Sequence, residues 1–338
     1  MRNTKLIIPA LAIGAALLST VGGRAAQSFS ITALDVPCAT CPGQIMPMTG
    51  ANGVNPAGDV VGSYKDGVGG QHGFLLRDGQ FTTIDVPGAL AGVSGTLPTV
   101  ARGISPTGDI VGQYVVPASA APLGSPAYCP AAGSVACTKG FLYRNGKFST
   151  VLVPGHPGAI PQRITPDGDI YGCYHDYNTM GSMFGFVRTR FGYDSLAAGG
   201  GELIDPTQSV PASMNNGATP GARTIVGLWT DMMATPVHTH GYVVQAGAFQ
   251  SYDVPGPGVK STAIWDINPS GHFVGTYIDS FGQHGFLQPA DGSAPTAINY
   301  PGAIGTSAFG INPDGVIVGQ YTDTSRHVHG FIAAPAGD

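Results

Sequence analysis

A twelve-residue run near the C-terminus, Gly310-Ile311-Asn312-Pro313-Asp314-Gly315-Val316-Ile317-Val318-Gly319-Gln320-Tyr321, followed after a short loop by His329-Gly330-Phe331, recurs six times along the chain. The Val-Gly step marks the register at Gly62, Gly112, Gly172 (there Tyr-Gly), Gly227, Gly275 and Gly319, at spacings of 50, 60, 55, 48 and 44 residues. Self-similarity at such a period restricts the chain to a propeller, a solenoid or an array.

Each copy reads as four short strands. In the fifth, Thr262 to Ile267 is strand a, and Asn268-Pro269-Ser270-Gly271 is a tight turn in which Pro presets φ and Gly accepts positive φ. Phe273 to Tyr277 is strand b, His284 to Leu287 strand c, and Ala297 to Gly302 strand d. The runs are rich in β-branched and aromatic residues and are bounded by Gly and Pro. None has the length or period of a helix. Four strands per unit of this length fit a propeller blade. In the third copy the best candidate for strand d is Glu202 to Pro206.

The ends discriminate between a ring and a stack. The sixth copy stops after strand c, at Phe331-Ile332. Its missing strand d should resemble Phe81-Thr82-Thr83-Ile84-Asp85-Val86-Pro87-Gly88, and such a segment, Phe29 to Pro37, lies near the N-terminus. Pairing the two would close the ring and remove exposed strand edges; a solenoid would need capping ends instead. The expected fold is an all-β, six-bladed β-propeller with four-stranded blades. It forms one domain over residues 27–338, its last blade closed by the N-terminal strand.

The Ile-Asn-Pro-x-Gly-x-Ile-Val-Gly-x-Tyr run, the His-Gly-Phe step and the Phe-x-Thr-Ile-Asp-Val-Pro-Gly-Ala run resemble the HAF family of predicted extracellular bacterial repeat proteins. The likeness covers nearly everything after the first 26 residues. It is poorest in the third copy, where Phe184 stands in the place of His. The resemblance implies secretion and a repeat fold, and no catalytic residues.

Residues 1–26 read as a secretory signal, with Arg2 and Lys5 at a basic start, an apolar stretch from Leu6 to Val21, and small residues around Ala25-Ala26. The apolar stretch is short for a membrane span and Pro9 interrupts it. The mature chain is expected to be secreted or periplasmic, monomeric and without a membrane span. Losing Arg2, Lys5 and Arg24 leaves 12 basic residues against 20 acidic ones, a net charge of −8. No basic patch remains for nucleic acid or an anionic membrane. Only 10% of residues are charged, but at 43% hydrophobic the chain can bury a core.

Five cysteines suit an oxidising compartment. Cys38 and Cys41, just after the closing strand, are expected as a structural disulfide and not a redox pair, because no helix start follows them. Cys129 and Cys137 bracket a loop of the second copy and are expected as another. Cys173 is left over, packed inside a blade. No paired Cys or His spacing suits a closed tetrahedral zinc site.

The a–b and c–d turns are short and alike between copies, while the b–c and d–a connections vary widely. A rigid scaffold concentrates binding residues on such variable loops. Two constellations lie there. After strand b comes aromatic-x-Asp, giving Asp66, Asp176, Asp231, Asp279 and Asp323; before strand c comes His, giving His72, His240, His284 and His329. Either the aspartates ring a channel and hold a cation, with calcium the ion to expect, or each hydrogen-bonds its own His and loop amides. On strand a, the column two residues before the Ile/Val of Ile-Asn-Pro holds Asn52, Arg102, Gln162, Ala212, Trp265 and Phe309, with Arg163 and Asp266 beside it in place of the usual Gly. Arg102, Gln162, Arg163, Trp229, Trp265, Asp266 and Phe309 are the expected ligand-binding set, suited to a polar ligand with a stacking face such as a sugar.

Nucleophile-elbow, zinc-protease, phosphate-loop and EF-hand motifs are absent, and Glu202 is the only glutamate, which excludes a paired-glutamate glycosidase. The expected function is a secreted, non-enzymatic propeller without cofactor that binds a cell-surface or extracellular glycan or protein on its variable face. The competing expectation is a propeller hydrolase or lyase with a channel-bound cation.

Overall fold

The computed structural model describes residues 27–37, 48–67, 70–89, 99–117, 136–154, 158–176, 182–190, 192–195, 210–215, 224–231, 234–245 and 248–336. Among them there is no helix, and none long and apolar enough to cross a membrane. The chain enters through β1 (Phe29–Leu34). The first repeat forms β2 (Met48–Val54), β3 (Val60–Lys65), β4 (Gln71–Arg77) and β5 (Gln80–Ile84). The second forms β6 (Thr99–Ile104), β7 (Ile110–Pro117), β8 (Ala136–Arg144) and β9 (Lys147–Val151); the third β10 (Gly158–Ile164), β11 (Ile170–Asp176), β12 (Ser182–Thr189) and β13 (Gly192–Ser195). Next come β14 (Val210–Asn215), β15 (Thr224–Asp231), β16 (His238–Gln245) and β17 (Ala248–Tyr252), then β18 (Ser261–Ile267), β19 (Phe273–Ile278), β20 (Gln283–Gln288) and β21 (Thr296–Ile298). The last repeat holds β22 (Gly305–Ile311), β23 (Ile317–Thr322) and β24 (Val328–Pro335).

Strands within a repeat pair antiparallel in chain order. The c–d turns of the first and second repeats are two-residue hairpins with positive φ at both central residues, Asp78 (50°) and Gly79 (74°) in the first and Asn145 (51°) and Gly146 (76°) in the second. That conformation matches the right-handed twist of the flanking strands. One strand assignment moves. Strand d of the third repeat is β13, paired with β12 from Phe186↔Ser195 to Thr189↔Gly192, and not the Glu202 segment, which lies outside the described residues. A tight turn after Thr189 makes the pairing local, so the chain has no need of a distant strand.

The sixth repeat lacks its own fourth strand and takes β1 instead, antiparallel to β24 from Phe29↔Pro335 to Leu34↔Gly330. Hydrogen bonding runs as three sheets and not as one closed band; single parallel bridges such as Met48↔Val328 join some repeats and not others. Packing is more continuous than hydrogen bonding. First strands touch in the order β2, β6, β10, β14, β18, β22 and back to β2.

The core lies between the faces of neighbouring repeats. Val61 and Ile84 pack on Ala101, Ile110 and Phe141 of the next repeat, while Leu34 and Val36 join Ala51, Phe74 and Val318 across the two ends of the chain. The aromatic after His-Gly, or after Lys-Gly in the second repeat, is fully buried at Phe74, Phe141, Phe286 and Phe331, each burial contributing about 1.5–3 kcal/mol. That ring explains the Val-Gly mark. A Cβ on Gly319 would lie 1.9 Å from the Ser307 carbonyl oxygen and 2.8 Å from Phe331 Cε1. The a–b turn also links repeats: Asn312 Oδ1 accepts from Val316 N at 2.9 Å, while its Nδ2 donates to Asn55 O in the first repeat at 3.2 Å.

The N-terminal 26 residues, Cys38, Cys41 and Cys129 lie outside the described residues. Cys137 is fully buried and disulfide-bonded, to a partner outside them. Cys173 is a buried free thiol, and burial pushes its pKa up to about 11.

Candidate functional site

On the variable face, three of the four His before strand c sit between two acceptors. His72 places Nδ1 2.7 Å from Asp85 and Nε2 3.3 Å from Asp66. His284 is 3.3 Å from Asn299 and 3.2 Å from Asp279. His329 is 3.0 Å from Asp35 and 3.4 Å from Asp323. His240 reaches Asp253 at 2.8 Å. The imidazole stacks on the aromatic of strand b across the ladder: Tyr64 on His72, Trp229 on His240, Tyr277 on His284, Tyr321 on His329, all with centroids 4.7–5.1 Å apart. In the third repeat Tyr174 stacks on Phe184 at 5.4 Å, so the ring contact survives the loss of His.

The aspartates also cap their own loops. Gly70 N donates to Asp66 at 2.6 Å, Ala234 N to Asp231 at 3.1 Å, Phe281 N to Asp279 at 2.7 Å, and His327 N to Asp323 at 2.8 Å. The backbone donor from His327 holds the Asp323 carboxyl below the usual carboxylate range. Burial alone would lower the His72 pKa, but the Asp85 and Asp66 carboxylates outweigh it and raise it. Among the described residues, Asp66, Asp231, Asp279 and Asp323 do not gather at one point. The side chain of Asp176 lies outside the description. For these four the ring of carboxylates around a channel is corrected: each caps its own loop, and Asp66, Asp279 and Asp323 also face their own imidazole, which satisfies them locally.

The inner column has a structural cause. Every first strand carries a β-bulge, and the residue left out of the ladder is Asn52, Arg102, Gln162, Ala212, Trp265 or Phe309. A bulge re-aims the extra side chain, here toward neighbouring repeats. Asn52 donates to Ala101 O at 2.8 Å, Arg102 to Gln113 at 3.0 Å and Gln162 at 3.3 Å, and Trp265 meets Phe309 edge-on at 5.6 Å. The following residue is Gly where strands crowd: a Cβ on Gly103 would lie 2.7 Å from Gln162 O.

Arg163 and Asp266 take that position in two repeats and tie first strands together. Arg163 Nη1 donates to Arg102 O at 2.9 Å and Nη2 to Phe309 O, while Nε lies 3.3 Å from Asp266 Oδ2. Asp266 accepts from Ile267 N and Ile311 N, both at 3.0 Å. The pair joins β6, β10, β18 and β22. Arg102 has no carboxylate partner among the described residues, and burial lowers its pKa to about 10.

A pocket of about 460 Å³ opens on the variable face between the b–c loop of the fifth repeat and the d–a connection into the sixth. Phe281 and Ile304 stand on its rim, 89% and 53% exposed. Gln283, His284, Asn299 and Thr306 give it polar groups. Tyr300 in its wall is held flat against Tyr321, with ring centroids 3.6 Å apart.

No family model and no curated relative matches the chain. Among solved structures it is similar to AofleA from Arthrobotrys oligospora, at 12% identity over 92% of this chain and 91% of that one, with a TM-score of 0.50. The fold is a β-propeller. A point mutant of the Aleuria aurantia lectin AAL in complex with Fucalpha1-6GlcNAc aligns at 12% identity over 85% of this chain and 96% of that one, with a TM-score of 0.43. Porphyromonas gingivalis dipeptidyl peptidase 4 aligns at 13% identity over 81% of this chain and 42% of that one, with a TM-score of 0.36. At these identities the first likeness speaks to the fold alone and the other two carry no argument.

The propeller does not assemble the expected ligand set into one site. Arg163 and Asp266 neutralise each other between first strands. Gln162 and Arg102 bond to one another, and Trp229 donates to Ser251 at 3.1 Å with its face against His240. Trp265 and Phe309 stay half-buried in the column. Two groups went unread in the sequence. The strand-d acceptors Asp85, Asp253, Asn299 and Asp35 carried a signal, because the second repeat loses all three members of the staple together: Val116 for Asp, Lys139 for His and Leu152 for Asp. Phe281 and Ile304 carried none, since two different loops bring them to one pocket.

Proposed function

We propose that this chain is a secreted, non-enzymatic propeller of six blades, closed by β1, that binds a glycan in the pocket between its fifth and sixth repeats. The observation that carries the reading is Phe281, 89% exposed beside a polar pocket of about 460 Å³. A sugar ring offers an apolar C–H face to an aromatic and hydroxyls to amides and imidazoles. Pockets of about 300–1,000 Å³ suit small ligands. In this reading the ring stacks on Phe281 and its hydroxyls reach the Asn299 amide and the Gln283 side chain. Residues 1–26 direct export to the outside or the periplasm, the repeat belongs to the HAF type, and Cys129 pairs with Cys137. The cation-dependent hydrolase loses its geometric ground, because the aspartates it needs are engaged one by one.

The test is a glycan array with the purified chain, followed by calorimetry on the best sugar. Phe281→Ala and Asn299→Ala should each weaken binding by about tenfold or more, the loss of one stacking contact and one hydrogen-bond donor. Phe281 is exposed, so the melting temperature of Phe281→Ala should hold, while Asn299→Ala also removes the acceptor of His284 and should lower it slightly. Retained affinity in Phe281→Ala would remove this pocket as the site.

A further inference from the structure

The sixth repeat carries a cluster that the His staple does not account for. His327, two residues before His329, stands where the first and fifth repeats have Gly70 and Gly282. Alternate residues of an extended chain share a side. The Nδ1 of His327 lies 3.5 Å from Asp323 Oδ2, and the Nε2 of His329 lies 3.4 Å from the same oxygen. One ligand atom from each of the three residues falls within 4.8 Å of the others, and the two rings meet at 84°. Zinc bonds of about 2.0–2.1 Å at tetrahedral angles set donor atoms about 3.3–3.4 Å apart. Both contacts to Asp323 are close to that spacing.

The hydrogen bonding around the cluster points the same way. His329 Nδ1 lies 3.0 Å from Asp35, which fixes the proton there. A neutral imidazole then presents a lone pair at Nε2. That lone pair faces a carboxylate oxygen 3.4 Å away, an arrangement that either a proton or a metal ion can bridge. A carboxylate behind the ligand imidazole is also the usual support of a metal-bound histidine. Asp323 is already oriented, since its Oδ1 accepts from His327 N and its carbonyl accepts from Arg326 N at 3.0 Å. Oδ2 is left toward the two rings.

We propose that Asp323, His327 and His329 bind one divalent first-row transition ion, with Asp35 as the positioning residue behind His329. Two imidazoles and one carboxylate suit zinc or its neighbours and not magnesium. Three protein ligands leave a coordination position for water, so the spacing argument against a closed four-ligand site does not apply. Asp35 follows β1 and His329 lies on β24, so the contact behind the ion spans the two strands where they share a sheet. The fourth repeat has a similar pair, His238 and His240, but its rings are stacked 4.2 Å apart at 15°. Parallel ring planes do not converge two lone pairs, which makes that repeat an internal control.

The test uses the tag-free, chelator-stripped full chain. Calorimetry and thermal shift with zinc chloride should show one ion per chain and a raised melting point, with magnesium chloride inert; a bound ion stabilises the native state by mass action. His327→Ala and Asp323→Asn should each weaken zinc binding by about tenfold or more. Asp35→Asn should weaken it by about 10–100-fold at unchanged stoichiometry. His238→Ala should leave it unchanged. Cobalt should give visible bands in the wild type that His327→Ala loses. Zinc binding as tight in His327→Ala as in the wild type, or no saturable binding, overturns the assignment.

Discussion

Replacing Asp266 by alanine tests whether the ion pair between the first strands holds the propeller together. Asp266 is buried, faces Arg163 at 3.3 Å, and accepts from Ile267 N and Ile311 N. Its loss orphans two buried amides and leaves Arg163, also buried, without a counter-charge near Arg102. A hydrogen bond to a charged group is worth about 1.5–3 kcal/mol, and breaking one side of a buried pair costs about 3–5 kcal/mol. The two figures describe overlapping interactions, so about 3–5 kcal/mol is the expected total. At about 2.1 cal/mol/K per residue over roughly 310 residues, the melting temperature should fall by about 5–8 °C. The companion variants are Arg163→Met and the double replacement Arg163→Met with Asp266→Ala. Removing both charges should cost less than the sum of the two singles, because neither residue is then left buried and unpaired. Scanning calorimetry and urea titration of the four proteins measure this. Additivity within about 0.5 kcal/mol would show that the two side chains do not act as a unit, and the argument would fail.

Three further outcomes are expected. The His72 pKa is raised above its ordinary value of 6.5 by Asp85 and Asp66, against burial. Its stabilising share is therefore complete below about pH 6.5 and is lost as pH rises through the folded value; His72→Gln should flatten the decline of melting temperature with rising pH, and an unchanged slope would count against the staple. Gly319→Ala forces a methyl to within 1.9 Å of Ser307 O and should destabilise by about 1–3 kcal/mol or more, read as a lower melting point and soluble yield, with wild-type behaviour refuting the crowding. Thiol titration should find none reactive in the native chain and one, Cys173, in guanidinium; three would remove the Cys38–Cys41 bond.

What the sequence disclosed follows from which interactions are local. The turns were legible because Asn312 and Gly315, or Asp78 and Gly79, act within four residues. The pairing of β1 with β24 was legible because a missing strand d at one end matches a spare one at the other. The inner column showed as variation between copies, but its bulge did not. A bulge is defined by the partner strand, and Ala51↔Gly62 followed by Gly53↔Val61 leaves no mark in either strand alone. The role of Asp266 was misread for the same reason, since its partner Arg163 lies two repeats away and only curvature brings them together. The His staple lies between these cases. His72 meets Asp66 six residues back and Asp85 thirteen ahead, distances fixed by the hairpins, and the joint loss of all three members in the second repeat could have exposed it. The pocket at Phe281 and Ile304 is the opposite case. Repetition encodes what every blade must do, and a ligand site placed between two of them is written only in the residues where those two depart from the rest.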